Sequence, residues 1–544
     1  MKSDCLPFSQ IPHTTRLFTD FLSYSPNIRQ FYPHSPRFSE WFRDERAALN
    51  YDAARRERVC AALERQNAAW DASPIASSKT MENIARMKAG ASAVVTGQQV
   101  GLFGGPLFSL FKALTAVKLA EQASDAGVDC VPVFWLATED HDLEEINHVS
   151  VPGSDWSLQR VVSKSTGKLN APVGTIKFGN EIEEATRQVA ELLGESEIND
   201  VLSEAYRPGE TFGTAFARLF SRLFSEWGVI LLDAADPELH RIAEPIYRAA
   251  IERTAELDRK LEARGKALEA AGYHQQVKVT PSSTLLFTLS DGARVPIHRQ
   301  AGGESATIDF VVGEQELSQA ELLNRISVAP ESFSPNVLLR PVVQDYLLPT
   351  LAYAGGAAEV AYFAQVGEVY QTLLGKITPI VPRFSGTILE AKPKAVLERF
   401  NLRLTDVFRG LESLRETLAE QAMEQILQKS FDAAETALQN AMKPIRESLT
   451  NLDKTLVESA ATAESKMLYQ LRGLRSKAAR AELRQSEVLQ RKAEVLSNTL
   501  YPNKTLQERE IGGIYFLARR GNEFLRELHD AIQTDCLDHQ ILSP

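Results

Sequence analysis

The chain has 544 residues, of which 44% are hydrophobic and 24% are charged, and these values are typical of a folded globular protein rather than a disordered one. Its formal net charge of −11 argues against a general nucleic-acid-binding or membrane-binding surface. No apolar run reaches the length of a membrane span, and the four cysteines form no C-x-x-C pair, so we expect a cytoplasmic protein with reduced thiols.

A glycine-rich stretch at 94–106 reads Val-Val-Thr-Gly-Gln-Gln-Val-Gly-Leu-Phe-Gly-Gly-Pro. A β-branched run precedes it and an amphipathic helix is predicted over 107–122, so the pattern is strand, glycine loop, helix. The glycines let backbone N–H groups approach a ligand, and the two glutamines suit a polar small molecule. A tight turn that needs glycine only for positive φ is the alternative. The residues predicted to contact a ligand are Thr96, Gly97, Gln98, Gln99, Gly101, Gly104 and Gly105.

A second buried strand is predicted over 130–136, and with the first it forms a βαβ unit. Because both strands end at one edge of a parallel sheet, the acidic segment at 137–148 should face the glycine loop. His141 and Glu145 would share a helical face if this segment is helical, and the segment could hold Mg²⁺ or supply a general base from His141. A solvated acidic turn is the alternative. The candidate residues are Asp140, His141, Asp142, Glu145 and Asn147.

Two insertions interrupt the predicted parallel sheet. Strand-like pieces at 156–162 and 173–178 belong to the first, and alternating segments, including 308–312, predict an antiparallel second insertion. A capping box formed by Ser318 and Glu321 should begin the helix that ends it. The predicted segments are 1–148 (N-terminal wrap and core), 149–226 (first insertion), 227–275 (core), 276–335 (second insertion), 336–402 (core), 403–498 (coiled coil) and 499–544 (C-terminal segment).

The core segments carry further candidates. A buried strand at 229–232 ends at Asp233, which either binds a ribose or an amine or caps a long charged helix over 237–270. A second strand and glycine turn contributes Gly355 and Gly356, with Glu359 behind them. A last strand is predicted over 379–382, and Arg383 begins its exit loop.

Residues 407–497 have apolar side chains at three-four spacing, which predicts long helices in an antiparallel coiled coil. Its turn is expected either at 430–432, where Asp432 and Glu435 have capping-box spacing, or at 440–444. A final helix is predicted over 514–532. Lys504 and Arg509, just before it, contact a phosphate or lie in a plain surface turn.

Four stretches together resemble the bacillithiol biosynthesis cysteine-adding enzymes, a family of proposed cysteine ligases, and the resemblance covers essentially the whole chain. They are Thr-Gly-Gln-Gln-Val-Gly-Leu-Phe-Gly-Gly-Pro at 96–106, Trp-Leu-Ala-Thr-Glu-Asp-His-Asp at 135–142, Tyr-Ala-Gly-Gly at 353–356, and Tyr-Pro-Asn with Gln-Glu-Arg at 501–509. The resemblance implies an α/β fold with a Rossmann-like parallel-sheet core, two inserted subdomains and an α-helical coiled-coil arm used for homodimerisation. It also implies addition of L-cysteine to the amine of glucosaminyl-malate. The architecture is similar to that of class I aminoacyl-tRNA synthetases, but their His-Ile-Gly-His and Lys-Met-Ser-Lys-Ser signatures are absent from this sequence.

Amide formation needs an activated carboxyl group, as an adenylate or an acyl phosphate, most simply from ATP with Mg²⁺. On this reading the glycine loop binds the nucleotide or a carboxylate, and His141 assists removal of a proton from the amine. Asp140, Asp142 and Glu145 bind metal or the amino-sugar, and Asp233 and Glu359 bind substrate hydroxyls or the cysteine ammonium. Two alternatives remain: a related activating enzyme for another amine, and a non-catalytic metabolite-binding scaffold built on the coiled coil.

Overall fold

The structure is a computed structural model that describes residues 1–70, 74–280, 282–300, 309–422, 425–453, 455–485, 487–521 and 523–544. The chain forms two compact units. The first comprises residues 1–153, 159–387 and 508–543, and the second comprises 154–158, 388–507 and 544. Over the described ranges, no helix is both long and apolar enough to cross a membrane.

The secondary structure elements are numbered in chain order. The strands are β1 (Lys2–Leu6), β2 (Ser92–Gln98), β3 (Cys130–Leu136), β4 (His148–Pro152), β5 (Leu158–Val162), β6 (Ile230–Asp233), β7 (Ser283–Ser290), β8 (Ala293–Arg299), β9 (Asp309–Val312), β10 (Gln315–Ser318), β11 (Phe333–Pro335), β12 (Thr350–Gly355), β13 (Ile380–Pro382), β14 (Gly386–Ile388) and β15 (His539–Ser543). The helices are α1 (Arg16–Leu22), α2 (Phe42–Ala48), α3 (Ala53–Trp70), α4 (Pro74–Ala89), α5 (Phe108–Asp125), α6 (Leu143–Ile146), α7 (Glu181–Leu193), α8 (Glu197–Ala205), α9 (Phe212–Leu223), α10 (Pro237–Glu252), α11 (Thr254–Ala270), α12 (Gln319–Val328), α13 (Arg340–Leu347), α14 (Ala357–Leu373), α15 (Ala391–Arg399), α16 (Leu404–Val407), α17 (Leu411–Ala422), α18 (Gln425–Leu452), α19 (Thr455–Gln485), α20 (Glu487–Leu500), α21 (Gln507–Glu510), α22 (Gly513–Arg520) and α23 (Glu523–Ala531).

A five-stranded parallel sheet in the order β13-β12-β2-β3-β6 forms the centre of the first unit. Its inner strands are buried along nearly their whole length, because they are continuous apolar runs with both faces covered. The chain leaves β2 through α5 to reach β3 on one side, while β12 lies on the other side of β2. Such a divergence opens a crevice at the carboxyl ends of the strands. The predicted βαβ unit and α/β fold class are confirmed.

The first insertion contains a two-stranded sheet of β4 and β5 and the helices α7 to α9. The strand predicted over 173–178 is wrong, because the segment begins with a 3₁₀ turn at Val173–Thr175. The preceding Pro172 lacks an N–H group for a ladder. The N–H groups of Val173 and Gly174 instead donate to the carbonyls of Asp140 and Thr138, at 2.7 and 2.9 Å. The turn therefore holds the acidic segment in place.

The second insertion is an antiparallel sheet in the order β10-β9-β8-β7-β11, as predicted. The strand predicted over 308–312 corresponds to β9, and residue 308 lies outside the described residues. Ser318 and Glu321 form the expected capping box at the start of α12. Residues 333–335 pair with β7 as β11, so the chain leaves this sheet just before α13.

The two chain ends are paired. β1 and β15 are antiparallel neighbours, with Cys5 opposite Gln540, and this brings Cys5 to Cys536 in a disulfide. The expectation of reduced thiols is therefore wrong for this pair, because no local pattern indicates that the two terminal segments meet. Cys60 and Cys130 are free and buried.

Two predicted helices are each divided. The helix expected over 237–270 consists of α10 and α11, which are separated at Arg253. The helix expected over 514–532 consists of α22 and α23, and the first of these ends at Arg520 and is followed by Gly521, which has φ 71°. A positive φ at this position favours glycine, which is the usual residue just past a helix end.

The second unit contains the predicted antiparallel helices. α18 and α19 are linked by the ion pairs Arg446–Glu464, Arg472–Glu435 and Arg475–Asp432. Both expected turn positions are wrong, because α18 continues past them to Leu452 and contains Pro444. Asp432 and Glu435 pair with α19 instead of capping a helix, and Asp453 accepts hydrogen bonds from Thr455 at the start of α19.

Candidate active site

The glycine loop follows β2 at the carboxyl edge of the parallel sheet. Gly97 lies directly opposite Trp135 of β3, and an added Cβ would come within 2.9 Å of the Trp135 Cβ and carbonyl oxygen. Gly105 has φ 69°, and its N–H donates to the carbonyl of Leu102. The N–H of Gly104 is shared between the Gly101 carbonyl and a tyrosine hydroxyl. These glycines serve packing and turn geometry, so the later part of the loop is not an anion cradle.

The two glutamines of the loop lie half-buried at the sheet edge. The Gln99 side-chain amide donates to Asp140 Oδ2 at 2.6 Å and to Glu145 Oε2 at 2.8 Å. The N–H of Ala137 also donates to the carbonyl of Gln98, at 3.0 Å. The glycine loop and the acidic segment are therefore joined side by side, as the strand order requires.

Three members of the acidic segment do not reach the crevice. The Asp142 carboxylate accepts a hydrogen bond from the N–H of Glu145 and caps α6. Because α6 begins at Leu143, His141 and Glu145 do not share a helical face, and that expectation is wrong. His141 Nδ1 lies 3.4 Å from Arg294 Nη1, and Asn147 Oδ1 lies near the neighbouring His148 ring.

Asp233 lies half-buried at the end of β6 and does not line the crevice. Its carboxylate accepts hydrogen bonds from the Thr138 hydroxyl and from the N–H of Ala235. The capping residue of α10 is Asp236, whose carboxylate accepts from the first N–H groups of that helix. Neither role expected for Asp233 matches these contacts.

A buried ion pair closes the base of the crevice between β2 and β12. Lys112 Nζ on α5 lies 2.7 Å from Glu359 Oε2 and donates to the carbonyl of Gly97 at 2.6 Å and to Gln98 Oε1 at 3.0 Å. Glu359 also accepts from the Tyr353 hydroxyl and from the N–H of Gly356. Burial lowers the pKa of Lys112 to about 8 against the opposing effect of Glu359. Burial alone would raise the pKa of Glu359, but Lys112 and its hydrogen-bond donors lower it overall.

The sequence analysis did not identify Lys112 as a site residue, although its position within an otherwise apolar part of α5 is a signal. It occupies a position on α5 where all its neighbours on the helix are buried, so a lysine there needs a buried partner. The partner lies on a distant helix, which periodicity cannot identify.

Two arginines form the cationic side of the crevice. Arg383 pairs with the buried Glu508 at 2.7 Å, and its side chain is only 6% exposed. Its Nε has no hydrogen-bond partner among the described residues. A Cβ at Gly356 would lie 3.4 Å from this Nε, so glycine leaves the space in front of it open. Arg383 and Arg509 lie over the same Phe108 ring, at 5.2 and 6.0 Å.

The opposite side of the crevice carries Glu139, which the sequence interpretation passed over in favour of its neighbours. Its side chain is 13% exposed and lies 3.4 Å from His240 Nε2. Burial raises the pKa of Glu139 to about 8, while the charge of Arg294 opposes the shift and that of Asp233 adds to it. Arg294 is fixed by Ser334 Oγ and by a backbone carbonyl of β11.

Together these groups line a cavity of about 410 Å³, the size of a small-molecule site. The predicted residues that line it are Gly97, Gln98, Gln99, Asp140, Glu145, Gly356, Glu359, Arg383 and Arg509. The predicted residues that do not line it are Thr96, Gly101, Gly104, Gly105, His141, Asp142, Asn147, Asp233, Gly355 and Lys504. Thr96 instead donates to the Ala354 carbonyl, and Lys504 is an exposed residue of the second unit.

The cavity has two chemically different sides, and two further arginines, Arg294 and Arg340, line it near Glu139. Arg383 and Arg509 offer donors to carboxylate or phosphate oxygens, whereas Glu139, Asp140 and Glu145 offer acceptors to an amine or to hydroxyl groups. Within the described part of the chain, no three His, Cys, Asp or Glu side chains converge as they would around a metal ion. Asp142 in particular is turned away to cap α6, so it does not join Asp140 and Glu145.

Comparison with known proteins identifies relatives over the full chain. Residues 1–384 match the bacillithiol biosynthesis BshC N-terminal Rossmann-like domain, and residues 386–544 match the BshC C-terminal coiled-coil domain. A protein of Koribacter versatilis named "Putative cysteine ligase BshC" is 48% identical over 100% of both chains. A protein of the same name from Solibacter usitatus is 36% identical over 100% of both chains. Another, from Salinibacter ruber, is 32% identical over 97% of this chain and 96% of its own.

Proposed function

We propose that this chain, which belongs to the bacillithiol biosynthesis BshC family, is an amide-forming ligase that joins L-cysteine to the amine of glucosaminyl-malate. The product of this reaction is bacillithiol. The observation that best supports the proposal is the two-sided cavity, because an amino-sugar that carries a dicarboxylic acid needs acceptors at one end and cationic donors at the other.

The cationic side suits the malate carboxylates. Arg383 is held by Glu508, yet among the described residues its Nε–H finds no acceptor beside the open space at Gly356. A buried donor without a partner is costly, and a ligand oxygen would satisfy it. Burial and the charge of Arg383 together lower the pKa of Arg509, which indicates that two cations repel each other here. An anion between them would relieve that repulsion.

The acidic side suits the sugar amine and hydroxyl groups. Gln99 holds the carboxylates of Asp140 and Glu145 at one point of the cavity rim, and each carboxylate retains further acceptor capacity. The Glu139 side chain is less exposed to solvent than the side chains of Asp140 and Glu145. An ammonium group here would meet three carboxylates, although Arg294 and Arg340 also line this part of the cavity.

ATP with Mg²⁺ is the proposed co-substrate, and when bound it would activate the cysteine carboxyl group. The residues present fit this requirement, because Arg383 Nε, which has no partner within the described part of the chain, suits a phosphate oxygen as well as a carboxylate. Asp140 and Glu145 are ligands of the type that Mg²⁺ prefers, with water completing its coordination. Trp135 and Phe108 supply apolar walls that limit access of water to the cavity.

The activity is tested by incubating the purified chain with ATP, L-cysteine and glucosaminyl-malate and measuring bacillithiol by mass spectrometry. We expect the product only when all three compounds are present. Absence of the product with a folded preparation would contradict the proposed function.

Arg509→Gln tests the assignment of the cationic side. Loss of a charge-assisted hydrogen bond costs about 1.5–3 kcal/mol, so KM for glucosaminyl-malate should rise about 10- to 100-fold. The matched control is Arg43→Gln, an exposed arginine that also lies over a phenylalanine ring but outside the cavity. Equal KM values for the two variants would contradict the assignment. An increase in KM for ATP alone would show that the arginine serves phosphate rather than malate.

A further inference from the structure

The Arg383 guanidinium is held through two of its three nitrogens. Nη2 donates to Glu508 Oε1 at 2.7 Å, and Nη1 donates to the carbonyl of Phe384 at 2.6 Å. Among the described residues the Nε–H has no acceptor, and a Cβ at Gly356 would lie 3.4 Å from that nitrogen. The two bonded nitrogens therefore determine how Nε is oriented beside the cavity.

The Glu508 carboxylate is held in turn by the residues that follow Arg383. Oε1 also accepts from the Ser385 hydroxyl at 3.0 Å, and Oε2 accepts from the N–H of Gly386 at 2.8 Å. Burial alone would raise the pKa of Glu508, but Arg383 lowers it overall, so the carboxylate is charged at neutral pH. Its side chain is 2% exposed, so its position depends on these protein donors rather than on water.

The Ser385 hydroxyl has a second partner, the buried ring of His539. His539 begins β15, and the N–H of the following residue donates to the Ser385 carbonyl at 2.9 Å. His539 Nδ1 lies 2.8 Å from Ser385 Oγ, and Nε2 lies 2.8 Å from Thr387 Oγ1. The ring is fully buried, and the two hydroxyl groups satisfy both of its nitrogens.

The proton positions in this chain of contacts follow from the groups that can only accept. A charged carboxylate has no proton to give, so the single hydroxyl proton of Ser385 is donated to Glu508. His539 Nδ1 must then carry a proton and donate it to Ser385 Oγ. Burial lowers the pKa of His539 to about 4, so the ring is neutral at pH 7 and Nε2 accepts from the Thr387 hydroxyl. The hydrogen bonds therefore run in one direction, from Thr387 to Glu508.

We propose that His539 is a positioning residue for the ligation reaction, and this assignment rests on the proposed function. By donating to Ser385 Oγ, the ring directs the hydroxyl proton toward Glu508. Glu508 in turn holds Arg383 Nε beside the cavity. His539 does not line the cavity, so it acts on the substrate only through Arg383. It favours binding of the malate carboxylates, because the guanidinium is oriented before the substrate arrives.

A purely structural role for His539 is the competing explanation, because β15 also pairs with β1 and follows the disulfide-bonded Cys536. The next residue along β15, Gln540, allows the two roles to be separated. Its side chain is also fully buried, but it bonds to Ser3 and Gln533, whereas His539 bonds to Ser385. Replacing either residue disturbs the same terminal sheet, and the proposal expects only the His539 variant to change substrate binding.

Two replacements of His539 separate its ring nitrogens. In His539→Asn the amide nitrogen takes the place of Nδ1 and can still donate to Ser385, whereas in His539→Gln the amide group takes the place of Nε2. We expect His539→Gln to raise KM for glucosaminyl-malate about 5- to 20-fold with kcat nearly unchanged, since part of a charge-assisted hydrogen bond to the substrate is lost. His539→Asn should keep KM within about threefold of the wild type. Gln540→Met, the matched control, should leave KM unchanged.

Ser385→Ala interrupts the same chain of contacts at the hydroxyl group and tests the proposal even if His539→Gln does not fold. It should raise KM to a similar extent. Because the two substitutions remove links of one chain, the double variant should have a KM close to that of either single variant. A KM that rises by the product of the two single effects would show that the residues act separately and would contradict the proposal.

The two proposals fail in different ways, which binding of glucosaminyl-malate alone, measured by isothermal titration calorimetry, helps to distinguish. A wild-type chain that forms no bacillithiol but binds glucosaminyl-malate more tightly than His539→Gln does refutes the proposed function and supports the positioning role. A wild-type chain that neither reacts nor binds this compound refutes both. An active wild type with the same KM as His539→Gln refutes the positioning role alone. Equal increases in KM for His539→Asn, His539→Gln and Gln540→Met would indicate a structural role and would also refute it.

Discussion

The buried pair of Lys112 and Glu359 gives the sharpest prediction about how the site is held together. Lys112 is 5% exposed and Glu359 is 16% exposed, and their charged atoms are 2.7 Å apart. Lys112→Met keeps most of the apolar stem but leaves the Glu359 carboxylate buried without its cation. It also removes the donor to the Gly97 carbonyl and to Gln98. Breaking a buried pair in this way typically costs about 3–5 kcal/mol of unfolding free energy.

Urea denaturation of three variants separates the charge effect from simple loss of packing. Lys112→Met should lower the unfolding free energy by about 3–5 kcal/mol. The double variant Lys112→Met, Glu359→Gln should be more stable than Lys112→Met alone, because no unpaired charge remains buried. Lys118→Met, farther along α5 and partly exposed, is the control and should change stability by less than about 0.5 kcal/mol. A Lys112→Met variant within about 1 kcal/mol of the wild type, or a double variant no better than the single one, would refute this reasoning.

Three further predictions concern other parts of the chain. Because burial raises the pKa of Glu139 from 4.5 to about 8, the folded chain keeps a proton that the unfolded chain has released. The unfolding free energy of the wild type should therefore fall relative to that of Glu139→Gln as pH rises from about 5 to about 8. If chemical denaturation gives the same difference in unfolding free energy between the two proteins at every pH, the raised pKa is contradicted. Cys536→Ser, which removes the bond to Cys5, should lower the unfolding free energy by about 2–4 kcal/mol, whereas an unchanged melting temperature in oxidising and reducing buffer would argue against the bond. Tyr469 and Leu474 are apolar residues of α19 whose side chains are 74% and 56% exposed. Replacing both with Glu should convert the expected homodimer into a monomer, as measured by light scattering. A wild-type mass of 60.3 kDa in the same measurement would show that there is no dimer to disrupt.

The juxtaposition at the centre of the site was predictable because it follows from strand order. Two buried runs separated by one helix form adjacent parallel strands, and their carboxyl ends meet at one edge. The contact of Gln99 with Asp140 and Glu145 is a consequence of that rule. The antiparallel second insertion was predictable for a similar reason, since its alternating pattern indicates strands with one buried face.

The roles of individual residues were less accessible, because one pattern has several physical causes. Gly97 is required by the approach of Trp135, and Gly105 by its positive φ, yet in the sequence both resemble a ligand loop. Asp142 has the chemistry of a metal ligand and of a helix cap, and only the position of α6 distinguishes them. Position relative to the cavity, rather than residue type, decides which member of the acidic segment faces a ligand.

Contacts between distant segments could not be read from local pattern. Arg383 and Glu508 are 125 residues apart, and the pairing arises only when the C-terminal segment packs beside the last strand of the parallel sheet. The coiled-coil turn was misplaced for a related reason. Asp432 and Glu435 match a capping box in sequence, but their carboxylates pair with arginines of the facing helix.

A crystal structure of the protein with glucosaminyl-malate bound tests most directly whether the two-sided cavity is the active site. We expect the ligand in the cavity of about 410 Å³, with carboxylate oxygens within hydrogen-bond distance of Arg383 Nε and Arg509 and with the amine nitrogen beside Glu139 and Asp140. A ligand bound outside this cavity, or bound in it with its carboxylates at the acidic side, would contradict the proposed site.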